Sequence, residues 1–104
     1  NLEGADLKGA DLKRANLWGS NFSKANLANA NLKRSVIQAA NLRDANLNSA
    51  HLKGVNMDEA DLRGTNLQNA DVEDASFAGA LYNEKTVWPD GFNPIRAGAV
   101  FRRD

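Results

Sequence analysis

The feature that most constrains this chain is a five-residue period. Large apolar residues fall at Leu2, Leu7, Leu12, Leu17, Phe22, Leu27, Leu32, Ile37, Leu42, Leu47, Leu52, Met57, Leu62, Leu67, Val72 and Phe77, sixteen in succession without a slip. Two positions before each following centre sits a small residue, from Ala5 to Ala80, broken only by Ser20, Ser35, Val55 and Thr65. The residue just before each centre is Asn or Asp except at Val36, His51 and Ser76.

This period fits neither common element. At about 100° per residue an α-helix would advance the apolar residue by roughly 500° per unit, scattering leucines around its barrel. A strand alternates faces every residue, so an odd repeat would swap faces at each unit. A coil satisfies both constraints if each unit forms one side and turns a corner, with the centre and the small residue inside. Four sides make a turn of twenty residues. Stacked turns could then bond backbone to backbone at roughly the 4.8 Å inter-strand spacing.

Ala5-Asp6-Leu7-Lys8-Gly9, Ala10-Asp11-Leu12-Lys13-Arg14 and Ala25-Asn26-Leu27-Ala28-Asn29 resemble the pentapeptide repeat, A-(D/N)-L-x-x. The resemblance covers about residues 1 to 80. It implies an all-β fold, a right-handed quadrilateral β-helix (β-solenoid) of about four coils, with residues 1–81 as the solenoid. The pattern fades after Ala80: Tyr82 takes the next apolar centre and Val87 follows five later, but the small residues and Asn corners are gone. Tyr82, Trp88, Phe92 and Phe101 concentrate in this last quarter with both prolines. A stacked coil ends in unpaired backbone over an apolar bore, so residues 82–104 are expected to form a bulky cap. Trp88-Pro89-Asp90-Gly91-Phe92 reads as a turn, Asn93-Pro94 as a second turn or helix start, and 95–101 as a short helix or extended segment. The tail resembles one that closes many cyanobacterial pentapeptide-repeat proteins.

The inward Leu and Ala set leaves no room for a ligand, so no small molecule or cofactor is expected. The Asn and Asp positions are expected at corners, where short polar side chains bond nearby backbone. A residue type required at every turn does not mark one site, and Asp6, Asp11, Asp61 and Asp71 are not read as catalytic or calcium-binding. His51 is the sole histidine and cysteine is absent, leaving no metal-ligand or nucleophile grouping. No residue argues for an enzyme.

Residues twenty apart should stack in columns. One strip carries Lys13, Arg14, Lys33, Arg34 and Lys53, then Asp71, Glu73 and Asp74. Another is nearly uncharged, with Ala28, Asn29, Asn48, Ser49, Gln68 and Asn69. A third exposes Trp18 beside Val36. Like charges about 5 Å apart in water repel by under about 1 kcal/mol, so the basic strip serves either as a solvated face against sheet association or as a dock for an acidic partner. Trp18 with Val36 is the aromatic candidate for a protein contact.

Thirteen Lys/Arg balance thirteen Asp/Glu, for a formal charge of zero. That balance argues against nucleic-acid binding and against the acidic DNA mimics that bind topoisomerases within the resembled family. Thr65 and Thr86 are too few for the ladders of ice-binding solenoids. The expectation is a non-catalytic scaffold or protein-interaction module, with a DNA gyrase-binding DNA-mimic regulator as the alternative. It is expected to be a monomer or a weak end-to-end dimer, and the pattern already running at Asn1 suggests a fused N-terminal domain. Apolar runs are too short to span a membrane and no leader is visible. The compartment stays open, with the cytoplasm the default.

Overall fold

A computed structural model describes all 104 residues. Its wall is a ladder of parallel bridges between residues twenty apart, beginning at Asp6↔Asn26, Asp11↔Asn31, Asn16↔Val36 and Asn21↔Asn41. Each bridge rests on a repeated pair of bonds. The Leu7 N–H donates to the Asn26 carbonyl (2.7 Å), and the Asn26 N–H donates back to the Ala5 carbonyl (2.9 Å). The chain is thus a β-helix with one five-residue unit per side.

The corners follow from the two residues after each centre. The Ala5, Ala10, Ala15 and Ser20 N–H groups donate to the carbonyls of Leu2, Leu7, Leu12 and Leu17 at 3.0–3.1 Å, closing four-residue turns. The third residue of every such turn has positive φ, as a type II turn requires. Six are glycines; the other ten are Arg14, Lys24, Asn29, Arg34, Ala39, Asp44, Ser49, Glu59, Asn69 and Asp74, at φ 57–63°. So many non-glycine residues in the left-handed region persist because the wall above and below fixes them.

The repeating Asn and Asp just before each centre do not occupy the corners, contrary to the expectation from sequence. They hold the bridged positions on the flats, and each side-chain Oδ1 accepts the N–H two residues on, inside the next corner. Thirteen residues do this, from Asn1 to Glu3 (3.0 Å) through Asn46 to Asn48 (2.9 Å) to Asp71 to Glu73 (3.1 Å). With the corner so close, one residue per flat remains in ladder geometry. The wall is therefore made of isolated bridges, and the only two-residue strands are β1 (Leu81–Tyr82) and β2 (Val100–Phe101), paired in parallel.

The bore is filled. Phe22, Leu32, Leu42, Leu47, Leu52, Met57, Leu62 and Leu67 are at most 1% exposed, as are the small residues between them from Ala25 to Ala60. Each fully buried large side chain contributes about 1.5–3 kcal/mol. The buried polar substitutions at small positions are satisfied: the Ser35 hydroxyl donates to the Leu32 carbonyl (2.7 Å) and the Thr65 hydroxyl to the Leu42 carbonyl (2.6 Å).

The last coil departs from the five-residue register. Asn66 bridges Val87, twenty-one residues on. The Thr86 N–H donates to the Asn83 carbonyl (3.1 Å), moving the corner one residue along. The Asn83 side chain then accepts the Gly64 N–H (3.0 Å), taking the place of a backbone carbonyl. Val87 is consequently not an apolar centre; it sits on the wall, 44% exposed, and Trp88 takes the inward place. Trp88 meets Phe77 edge-on at 5.5 Å, Tyr82 at 5.7 Å, and stacks on Phe92 at 4.9 Å. Phe101 lies edge-on to Tyr82 at 5.4 Å and is 48% exposed. No helix forms over 95–101: successive turns over 94–98 lead into β2.

Candidate protein-interaction surface

The predicted surface residues all reach the outside, with different geometry from that read from sequence. Lys13 and Arg14 are the central residues of the turn from Leu12 to Ala15, and Lys33, Arg34 and Lys53 occupy the same corner at the next levels. The basic strip is therefore a ridge. Four of these five are exposed; Lys53 is half-buried and lies 3.7 Å from Glu73, where the ridge changes sign. Such a surface pair contributes about 0–1 kcal/mol.

Trp18 stands at the next corner, 65% exposed, its N–H bound by Asn16 Oδ1 at 3.2 Å. Val36 is half-buried on the flat between the two ridges, bridged to Asn16 below and Asn56 above. The structure thus brings the aromatic and basic candidates onto one side: Asn16, Val36, Asn56 and Ser76 form its flat, the Arg14 ridge one margin and the Trp18 ridge the other.

Two of the three non-Asx exceptions, Val36 and Ser76, lie on this side, and the bonding at Ser76 shows how the missing Asx is replaced. Ser76 cannot cap its own corner as Asn does, and Asp58 from the level below accepts both the Ser76 hydroxyl and the Ala78 N–H (3.0 Å). The carboxylate substitutes for the missing amide. The donor and acceptor lie in different repeats, Asp58 and Ala78 being twenty residues apart, so the exchange shows only when the levels are stacked.

A second charged cluster, not singled out by sequence, lies on another side. The Arg63 guanidinium donates to Asp61 from Nε (2.9 Å) and Nη2 (2.7 Å), Arg43 stands 3.7 Å from the same carboxylate, and Asp104 from the tail pairs with Arg43. Burial pushes the Asp61 carboxyl up, but the side-chain and backbone hydrogen bonds of Arg63 and the charges of Arg63 and Arg43 outweigh it. The group is held below the ordinary carboxylate range. The fork geometry is what a planar guanidinium offers a carboxylate. Residues 43 and 63 are twenty apart, which is the signal that could have found it.

His51 is exposed on the ladder between Asn31 and Asp71. No helix is long and apolar enough to cross a membrane.

Comparison with known proteins agrees with this architecture. No curated protein matches the chain significantly. Among solved structures, Rfr23, a pentapeptide repeat protein from the cyanobacterium Cyanothece 51142, is 33% identical with a TM-score of 0.80 over 81% of this chain. HetL, a pentapeptide repeat protein involved in heterocyst differentiation regulation in Nostoc sp. strain PCC 7120, is 29% identical with a TM-score of 0.78 over 86%. The alignments span 57% of Rfr23 and 43% of HetL, so this chain matches about half of each. The family model for pentapeptide repeats matches residues 1–38 and 40–79 in eight copies. With the ladder, the filled bore and the repeated Asx bonds, these matches establish that the chain belongs to the pentapeptide repeat family.

Proposed function

We propose that the chain is a non-catalytic scaffold that presents protein-binding residues on a rigid wall. In this reading residues 1–81 form a right-handed quadrilateral β-helix of about four coils and residues 82–104 its cap. The observation that carries it is Trp18: a large aromatic side chain, 65% exposed, held at a corner whose backbone is fixed by the Asn16 bond and the ladder. An aromatic anchor on a pre-ordered surface loses little entropy on binding. The neighbouring basic ridge of Lys13, Arg14, Lys33, Arg34 and Lys53 supports an acidic partner or an acidic patch on one. HetL, named for a part in regulating heterocyst differentiation, suggests a regulatory setting for such contacts.

The alternative, a DNA-mimic regulator of gyrase, is ranked second because the formal charge is zero and the ridge of Lys13, Arg14, Lys33, Arg34 and Lys53 is basic. Capture of partners by immobilised chain, compared with Trp18→Ala and with Lys13, Lys33 and Lys53 reversed to Glu, tests the first reading. Loss of partners in either variant supports it; identical partners in all three rejects both patches. Inhibition or protection of gyrase supercoiling by the chain at about micromolar concentration would reverse the ranking.

A further inference from the structure

The side between the Arg14 and Trp18 ridges changes character along the helix axis. The Arg14 margin runs Arg14, Arg34, Gly54, Asp74, and the Trp18 margin runs Trp18, Gln38, Asp58, Ala78. The bridges Asn16↔Val36, Val36↔Asn56 and Asn56↔Ser76 stack these levels in register, so first and last lie about 14 Å apart at the ladder spacing. We propose that this side is a self-complementary interface through which two copies of the chain associate antiparallel.

A two-fold axis lying in the plane of the side and crossing the coils inverts the order of levels and keeps each column in place. Arg14 then faces Asp74 of the other copy, and Asp74 faces Arg14. Arg34 faces Gly54, over which the other copy's own Arg34 side chain lies, its Cγ 3.3 Å from where a Gly54 Cβ would stand. Trp18 faces Ala78, which with Gly79 and Gly98 makes a shelf of small residues. Gly98 backs this shelf: its carbonyl accepts the Gly79 N–H (2.9 Å), and a Cβ built on Gly98 would stand 3.5 Å from Ala78 Cα. An exposed indole therefore meets a flat seat at the same step that joins opposite charges. Like charges meet at two places: Arg34 with the other copy's Arg34 over Gly54, and Lys33 with Lys53 at the outer rim, where Lys53 is already beside Glu73 (3.7 Å).

The inversion of sign within a single side is what selects a second copy over a foreign acidic protein. A uniformly acidic partner would gain at Arg14 and Arg34 and be repelled at Asp74 and Asp58. The contact rests on one four-level side and on exposed charge pairs, so the association is weak and salt-sensitive. It rests on the reading of this surface as a protein-binding one and specifies the partner.

Sedimentation equilibrium on the intact chain up to about 1 mM tests it. A monomer–dimer equilibrium is expected at about 0.01 M salt, weakened at about 1 M, where the Debye length falls from about 30 to 3 Å. Trp18→Ala should weaken it by about tenfold or more. Arg14→Asp and Asp74→Arg each place a residue type already found in that column, so both should fold, as thermal unfolding will verify. Each alone should be monomeric, and an equimolar mixture should restore the dimer. A strictly monomeric wild-type chain at low salt, or variants that dimerise alone as the wild type does, would overturn the proposal, as would a mixture that stays monomeric. If the wild type is monomeric while Trp18→Ala still loses captured partners, self-association fails and the interaction-module reading stands.

Discussion

The two ends of the β-helix solve the same problem differently. At the N-terminal end Leu2 is 36% exposed, and Leu7, Leu12 and Leu17 are half-buried. The Asp6, Asp11 and Asn16 N–H groups find no acceptor within the chain, whereas those of Asn26, Asn31 and Val36 donate to Ala5, Ala10 and Ala15. At the other end the repeat is abandoned. Trp88 and Phe92 pack over Phe77, which is 1% exposed, and Asn83, 3% exposed, fills a ladder position with its side chain. A period that builds a wall cannot also finish it, because each turn presents the same open edge it was laid on.

Removing the closing segment should have the largest effect. Deletion of residues 82–104 uncovers Phe77 and the final ladder edge, and light scattering should show aggregation in place of a cooperative unfolding transition. A soluble, monomeric, cooperative truncation would mean that the segment has another role. Next in size is a matched pair of substitutions. Leu47→Ala, at a fully buried centre, should lower unfolding free energy by about 3–5 kcal/mol, and Leu7→Ala, in the same column at the open end, by roughly half that. Equal losses in urea titration would show that the first coil is as well covered in solution as the middle.

A smaller effect is expected at Asn83, whose side chain accepts the N–H groups of Gly64 and Lys85, both at 3.0 Å. Asn83→Ala should cost about 1–3 kcal/mol through unmade buried bonds, with Asn83→Asp retaining more stability than Ala because it keeps the acceptor. The smallest concerns the tail. Because the folded Asp61 pKa is depressed, its stabilisation is present above the ordinary carboxylate pKa and lost as pH falls through the folded value. Asp61→Asn should flatten that acid limb of the stability profile while changing neutral stability by about 1 kcal/mol or less. An unchanged acid limb would sever the tail's ion cluster from stability.

The centres from Leu2 to Phe77 were legible in sequence because a five-residue spacing fits neither an α-helix nor a strand and is satisfied by a coil with one unit per side. The corners were not: Asn and Asp favour turns both by occupying them and by bonding into them, and spacing does not distinguish the two. Val87 misled for a related reason. Its five-residue distance from Tyr82 survives, but the corner slips by one where the Asn83 side chain replaces a carbonyl, and the inward place passes to Trp88. The candidate surface was legible as columns; that Trp18 and Arg14 border one flat needed the corners to be fixed first.

The Asx bond has a bearing on how such chains diversify. Its acceptor is Oδ1, which Asn and Asp both possess, so thirteen outward positions could exchange amide for carboxylate and keep the bond that shapes the corner. Electrostatic character is thereby uncoupled from architecture. Exchange of Asn for Asp can take this wall from neutral to strongly acidic without rebuilding it, so the balance of thirteen against thirteen is not a requirement of the fold.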